Sequence, residues 1–381
     1  MTNIPKRAEA EINLASIEHN FREIKKFTEN KKIICVIKAN AYGHGAVRLG
    51  RLYEALGADI LAVACLDEAL ELRDAGIRMP VMILGVTPPR LAGVLADNRI
   101  IQSVPGLDYA VQLERELTSE NKKLEVHIKV DTGMTRFGIY AHGGYIDSAA
   151  DEAEKIASLP HLAAEGIFTH FAEAENEDTS FTEEQLASFL GVVKKLENRG
   201  KTFAFCHCAN SAAVVNYKKA HLSCVRPGLL LYGLSPTGKS VPGLSIRPAM
   251  TFKSLVADIR HIRKGDSVSY NRRFVAQRDM KIAVISCGYA DGLHRSLSGK
   301  AQCLIRGRRA QMLGNICMDL FLADVSEIPD VKHFDEAVIF GSQNGEYISP
   351  DELACLSGTI SYELLTSVSK RVPRTYDTSP A

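Results

Sequence analysis

Through the first 240 residues, short apolar runs rich in β-branched side chains recur at 33–37 (IICVI), 60–64 (ILAVA), 81–84 (VMIL), 100–104 (IIQSV), 124–130 (LEVHIKV), 163–169, 203–207 and 229–232. Runs that are apolar at nearly every position suit strands buried on both faces, because a strand with one wet face alternates instead. Segments of helical period lie between them. Residues 181–199 place Leu186, Leu190, Val193 and Leu196 on one face, and Thr182 with Gln185 has the spacing of a capping box at the start. Eight such strands alternating with helices predict a parallel (β/α)8 barrel of the TIM type in preference to an open doubly wound sheet.

After SPTGKSVPG (235–243) the texture changes. FKSLVADIRHI, KIAVISCGYA, AQCLIRG and EAVIFG are short runs separated by turn signals, with no regular alternation with long helices. The chain is therefore α/β with two domains: a barrel over 1–244 and a β-strand-rich domain over 245–381, the first ten or so residues packing on the latter. No repeat of solenoid spacing and no low-complexity tract interrupts this plan.

Charge narrows the partners. Lys+Arg number 46 against Asp+Glu 45, so the chain offers no net field to draw nucleic acid or an anionic membrane, and small-molecule chemistry is expected. MTNIPKRAEAEINL holds no apolar signal core, and no apolar run reaches the roughly 18 residues of a membrane span. A cytoplasmic location is the expectation. The nine cysteines form no CxxC pair and read as reduced core thiols. Cys206, His207 and Cys208 look like metal ligands, yet in a strand both cysteines share one face and His207 takes the other, with no second ligand pair at suitable spacing. No metal is expected.

Polar residues gather where the strands end. Lys38 follows the first run, Lys129 and Asp131 close the fifth, His170 follows the sixth, Asn210 and Ser211 follow the seventh, and Arg226 precedes the eighth. Singly these would pass for solvated flanks or a satisfied core histidine, but in a barrel they converge on the C-terminal rim, where active sites assemble. AYGHGA is not a dinucleotide loop, since the third glycine of GxGxxG would fall on Arg48, and GKS at 238–240 lacks the strand-loop-helix setting of a phosphate loop. Phosphate would instead be held by ANSAA (209–213), with Asn210 or Ser211 capping a helix, or by RPGLLLYG (226–233), where Gly228 would let backbone amides approach an anion. A lysine amine emerging beside such turns suggests a Schiff base with pyridoxal 5'-phosphate.

VIKANAYGHGA (36–46), HIKVDTGMTRFG (127–138), IFTHFA (167–172), VRPGLLLYG (225–233), SVSYN (267–271), GYADG (288–292), GNICMDL (314–320) and ISYE (360–363) occur together and in this order. The set resembles the alanine racemases, fold-type III pyridoxal-phosphate enzymes, over essentially the whole chain. The resemblance implies interconversion of L-alanine and D-alanine by two-base proton transfer, supplying D-alanine for peptidoglycan, in a homodimer whose active sites are shared between subunits. Lys38 would carry the cofactor and act as base on one face of the substrate Cα, while Tyr270, supplied by the neighbouring subunit, would act on the other.

The remaining roles are likewise implied by matched position. His170 is similar to the histidine that contacts the catalytic tyrosine, and His207 to the one behind Arg226, which pairs with the pyridine nitrogen. A guanidinium there favours an unprotonated nitrogen and a weaker electron sink, restraining side reactions. Arg136 matches a residue near the substrate carboxylate and cofactor phenolic oxygen. Lys129 matches a lysine often carbamylated, a change that would turn a cation into an anion able to orient Arg136. Tyr42, Asn210, Ser211, Gly228, Leu229 and Tyr362 would surround the cofactor. Met318, Asp319 and Tyr289 would lie on the substrate side, the first two contributed by the partner subunit.

Two segments depart from the family pattern. Tyr270 is followed by Asn271, Arg272 and Arg273 in place of a glycine and small residues, and GYADG by LHR in place of an aromatic and a proline. These extra cations leave open a serine or broad-specificity racemase, with Tyr362 favouring a small side chain. A pyridoxal-phosphate-dependent decarboxylase shares the architecture, but would pair the ring nitrogen with a carboxylate where this chain has Arg226.

Overall fold

The structure is a computed structural model in which residues 6–379 are described. The first five residues of the N-terminal segment expected on the β-rich domain lie outside the described residues. The chain divides into two compact units, one of Glu18–Ala41 and Ala46–Arg247, the other of Met1–Ile17, Tyr42–Gly45 and Pro248–Ala381. The first strand, β1 (Ala8–Asn13), belongs to the second of these.

The larger unit is the expected barrel. Its strands are β2 (Lys32–Val36), β3 (Ile60–Val63), β4 (Val81–Ile83), β5 (Ile100–Val104), β6 (Leu124–Asp131), β8 (Leu162–Phe168), β9 (Phe205–His207) and β10 (Cys224–Val225). A short β7 (Ile139–Tyr140) sits against the end of β6. All pairings are parallel, in the order β10-β2-β3-β4-β5-β6-β8-β9. Strands β3, β4 and β5 are buried at every residue, which explains their unbroken apolar runs. The two ends of the series meet where Ser223 N donates to Cys206 O (3.3 Å) and Arg226 N to Ala209 O (2.8 Å), bringing the ring near closure.

Three local expectations are corrected. The eighth strand is Cys224–Val225, and the run 229–232 is a 3-10 helix, Leu229–Tyr232, ended by Gly233 in the left-handed region at φ 83°. All four of its residues are buried, and an apolar run that short reads the same in a buried turn as in a strand. Arg226 thus follows the eighth strand. The helix Ser180–Asn198 begins early enough that Thr182 is interior, and Thr179 is its N-cap without a side-chain bond. Gln185 turns inward, its Oε1 accepting from Ala172 N (3.0 Å), so no capping box forms. Leu190 is exposed, and Phe189 and Val192 join Leu186, Val193 and Leu196 on the buried face.

In the second unit, β11 (Met250–Ile262), β14 (Met280–Ile285), β17 (Phe321–Asp324), β16 (Arg308–Leu313), β15 (Gln302–Ile305) and β18 (Glu336–Gln343) pair antiparallel in that order, and β18 returns to β11. The result is a closed six-stranded ring, which leaves none of these strands as an open edge. The long β11 makes this possible. Its register shifts between Val256 and Asp258 and again between Phe252 and Lys253, bending it across several partners. Strand β1 pairs antiparallel with β11, β20 (Arg374–Asp377) pairs parallel with β1, and β19 (Glu346–Ile348) extends β18. A separate hairpin of β12 (Ser267–Val268) and β13 (Phe274–Val275) stands outside the ring.

Within the first barrel, the β6–β8 register shifts between Val126 and His127, opposite Gly166. A Cβ on Gly166 would lie 2.5 Å from the His127 ring, and His127 is fully buried with nowhere to retreat. Gly166→Ala is expected to lower unfolding stability by about 1–3 kcal/mol, read as a shifted urea midpoint at unchanged slope. An unshifted midpoint would refute the packing described.

Candidate functional site

Lys38 stands two residues past the end of β2, half-buried, at the base of an unusual turn. Ala39, Asn40, Ala41 and Tyr42 all lie in the left-handed region (φ 52 to 54°) before Gly43 continues it at 83°. Four residues that carry a Cβ thus precede the glycine, at a cost of roughly 1–2 kcal/mol each. Local bonds hold the turn. Ala39 N donates to Glu68 Oε1 (2.6 Å), Asn40 Oδ1 accepts from Ala46 N (2.8 Å), and Ala41 N donates to Ile37 O (2.7 Å). Burial, then the Arg136 charge, hold the Lys38 amine below its ordinary pKa, opposed by Glu68.

Arg226 organises the polar interior of the same barrel. Its guanidinium is buried and donates from Nη1 to His207 Nδ1 (2.6 Å), and from Nη2 to Thr169 O (2.8 Å), His170 Nδ1 (3.2 Å) and Cys208 O (3.3 Å). Burial and the arginine's own charge push His170 and His207 well below the usual imidazole value, so both are neutral. An arginine has no lone pair to offer, so each histidine must accept at Nδ1 and carry its proton on Nε2. His207 Nε2 then donates to His127 Nδ1 (2.9 Å), leaving His127 protonated at Nε2, which has no hydrogen-bond partner among the described residues. One cation therefore sets three tautomers. Phe168 stacks on His207 (4.9 Å, 6°), with the Arg226 guanidinium 5.3 Å and the Lys129 amine 5.2 Å from its ring centre.

The charge balance of this region favours an anionic occupant. Lys38, Lys129, Arg136 and Arg226 act on one another, and burial with this repulsion lowers Lys129 to about 7 and Arg226 to about 10. Asp131, the carboxylate among them, is already engaged by Gly133 N and Thr135 N (3.0 Å each). Beside these cations Ser211 Oγ accepts from Gly228 N (2.9 Å) and Leu230 N (3.4 Å), drawing the two predicted phosphate turns together. Asn210, not Ser211, caps the helix Ser211–Asn216, its Oδ1 accepting from Ala213 N (2.9 Å). Leu229 is buried at the start of the following 3-10 helix. This donor set suits a phosphorylated, carbonyl-bearing cofactor and a carboxylate substrate. Among the described residues no cluster suited to a metal ion occurs, and Cys208 Sγ instead donates to Ala220 O (3.2 Å).

The other candidates belong to the second unit. Tyr42 is buried against Tyr362, ring centres 5.8 Å apart. Tyr270 sits in the loop of the β12–β13 hairpin and is 67% exposed. Tyr289 and Met318 lie together: Tyr289 N donates to Cys317 O (3.0 Å) and Ala290 N to Met318 O (3.0 Å). A Cβ on Gly288 would meet Met318 O at 2.3 Å, so glycine is required for this approach. Beneath them the buried Asp291 accepts from Gly288 N (2.9 Å), Arg371 Nε (2.7 Å) and Arg7, and Arg371 Nη2 donates to Asp319 Oδ1 (2.7 Å). Asp319, expected on the substrate side, is thus tied to Arg371.

Sequence reasoning passed over His127, Phe168, Glu68 and Asn315. A signal existed for His127, which stands two residues before Lys129 in one strand and so faces the same way. Glu68 carried none, since an acid in the first turn of Leu66–Asp74 reads as an ordinary helix start.

A lysine, an always-charged arginine and paired anion turns in a parallel barrel, joined in one chain to a β-rich unit, define the class of barrel enzymes that handle small anionic molecules. The family models described as "Alanine racemase, N-terminal domain" and "Alanine racemase, C-terminal domain" match residues 12–236 and 249–376. Alanine racemase 2 of Caldanaerobacter subterraneus subsp. tengcongensis is 42% identical over 96% of this chain and 94% of its own length. The alanine racemase of Desulfosudis oleivorans is 41% identical over 96% of each. Among solved structures, the alanine racemase of Clostridium difficile 630 superposes with a TM-score of 0.92 at 35% identity, covering 99% of this chain and 97% of that one. The Bacillus anthracis alanine racemase with bound L-Ala-P gives 0.90 at 35% over 99% and 96%. The chain belongs to the alanine racemase family.

The buried histidines make stability depend on pH. Burial holds His127 down at about 3 and His207 well below the usual value. The unfolded chain, titrating near ~6.5, takes up these protons first, so the contribution is complete above that pH and lost as pH falls toward the folded values. At pH 5 His127 should have cost about 2 kcal/mol of unfolding free energy relative to pH 8, with His207 acting in the same direction. Urea midpoints followed from pH 8 to 5 should fall accordingly, and a flat profile would contradict the neutral chain.

Proposed function

We propose that the protein interconverts L-alanine and D-alanine with pyridoxal phosphate, Lys38 and Tyr270 exchanging the Cα proton on opposite faces. The observation that carries this reading is the Arg226-centred chain beside Lys38, because it presents a fixed cation and a neutral histidine where a carboxylate would suit other chemistry. Within the family, whose members use pyridoxal phosphate, the product D-alanine supplies peptidoglycan.

The bound cofactor would supply an electron-withdrawing ring, held as a Schiff base on Lys38, that lets a Cα–H bond ionise. Of the barrel unit, Ser211, Asn210, Gly228 and Leu229 would hold it, with Arg226 toward the ring nitrogen. The depressed pKa of Lys38 leaves more of its amine in the neutral, proton-accepting form near neutrality than a surface lysine has. His170, protonated at Nε2 because Arg226 occupies Nδ1, can donate to a phenolate oxygen and so stabilise Tyr270 in its basic form. Arg136 would orient the substrate carboxylate, bidentate geometry being natural to a guanidinium. Lys129, lowered to about 7, holds a substantial neutral fraction at neutral pH, the form that combines with carbon dioxide to give a carbamate. That change would remove one of two neighbouring cations and give Arg136 an anionic partner.

Tyr270, Tyr289 and Met318 are exposed at 67%, 42% and 52%. These exposures support a homodimer with composite sites, in which Tyr270 of the partner subunit serves Lys38. Among the described residues no helix is long and apolar enough to cross a membrane, and a cytoplasmic site of action is part of the proposal.

Single L-amino acids incubated with the enzyme in deuterated water, with Cα exchange and chirality followed together, should show inversion of alanine with deuterium incorporation. No inversion of any amino acid sinks the racemase reading, an amine product supports the decarboxylase, and faster serine inversion reassigns the substrate. Lys38→Ala and Tyr270→Phe should each lower turnover by at least about 100-fold. Mixing the two inactive variants should restore part of the activity, and complete failure to complement would exclude shared sites.

A further inference from the structure

The loop that presents Tyr270 is carried on a short hairpin, whose base is continued by Ala276 N donating to Asp266 O (2.9 Å). Strands β12 and β13 share only the pairs Ser267–Val275 and Val268–Phe274. Within the five residues between them Ser269 (φ 65°), Asn271 (60°) and Arg272 (50°) lie at positive φ, a conformation that persists only where the surroundings impose it. The hairpin's base is seated on an apolar cluster of Val268, Ala276, Met280, Ile282 and Leu313, and the polar contacts to its tip centre on one buried residue. Asn315 is 3% exposed and follows β16. It donates from Nδ2 to the Tyr270 carbonyl (2.8 Å), accepts at Oδ1 from Arg273 Nη1 (3.1 Å), and accepts at its backbone oxygen from Ser269 Oγ (2.5 Å). These bonds grip Tyr270 and the residues on both sides of it. Gly314 shows how closely the segments meet, since a Cβ there would lie 2.7 Å from Val268 O and 2.8 Å from Ser269 Cβ.

We propose that Arg273 and Asn315 are positioning residues that clasp the Tyr270 loop and thereby aim its phenol for proton transfer. The proposal rests on the reading of Tyr270 as one of the two proton carriers. The amide of Asn315 can act at both ends only while Arg273 fixes its Oδ1. Without that donor the amide is free to rotate away from the Tyr270 carbonyl, and the strained loop loses its anchor. A tilt of about 10° at the Tyr270 Cα moves the phenol oxygen by about 1 Å, a misplacement on the order of 100-fold in rate. Asn271, Arg272 and Arg273, which depart from the family pattern, thereby divide: Arg273 belongs to the support of the tyrosine, and the other two form the strained tip.

The test uses the holoenzyme with alanine deuterated at Cα, in both directions. Arg273→Ala should lower kcat by about 10- to 100-fold, with KM changed less than about threefold and with part of the rate restored in Arg273→Lys. The primary isotope effect should rise in the direction where Tyr270 removes the Cα proton and fall in the direction where Lys38 does, because only the tyrosine step has been slowed. Asn315→Asp keeps the partner of Arg273 but not the amide donor to Tyr270, and should shift the two isotope effects the same way. It serves equally should Arg273→Ala fail to fold. Isotope effects unchanged in both directions, whatever the loss in rate, overturn the proposal, as does an unchanged kcat. Tyr270→Phe separates the two ideas: if it retains turnover the underlying assignment falls, and if it is inactive while the clasp variants behave like the parent, the clasp alone falls.

Discussion

The interior of the barrel depends on a guanidinium that has been taken out of water. A buried cation costs several kcal/mol unless its donors are met, and Arg226 meets them with two carbonyl oxygens and two imidazoles. Its own backbone N–H helps draw the ring together at Ala209. The same residue therefore joins the last strand to the others, selects the tautomers of His170, His207 and His127, and leaves a positive charge that an acidic group does not cancel. A carboxylate at this position would accept where Arg226 donates, and every proton along the chain would be reversed.

The two units divide the chemistry by residue type. The parallel barrel carries the cations and neutral histidines, on strand ends and turns whose amides suit anions. The antiparallel unit carries the candidate tyrosines and fixes their segments with polar anchors: Asn315 for the Tyr270 loop, and Asp291 with Arg7 and Arg371 for the segments of Tyr289 and Asp319. A closed ring beneath these loops gives them a stiff base, because no open edge in the ring can slip register to accommodate them.

Much of this was legible in the chain. Continuous apolar runs identify strands buried on both faces, and eight of them alternating with helices favour the barrel over the open doubly wound sheet, which covers both faces in the same way. Legibility stopped where periodicity stops. The run Leu229–Tyr232 is apolar because it is enclosed, which a 3-10 turn achieves as well as a strand. Thr182 and Gln185 have capping spacing, but the helix starts two residues before Thr182 and Gln185 is occupied by Ala172. The ordered motifs brought Lys38, Arg136, His170, His207 and Arg226 forward as candidates, and the structure draws them into one electrostatic cluster. Glu68 and Asn315 escaped because their roles rest on partners 29 and 45 residues away, beyond what local spacing encodes.

The turn after Lys38 has a consequence of its own. Four successive residues on the left-handed side of φ cannot relax singly, since returning any one to the ordinary region would redirect the chain beyond it. The spacer at the end of β2 is therefore not a tether that samples many nearby shapes. Its alternatives are far away and separated by forbidden ground, so it behaves as a bracket with one setting. For a reaction in which the same carbon must lose a proton and regain one during a single visit, a backbone fixed just past Lys38 leaves the lysine side chain itself to do the moving.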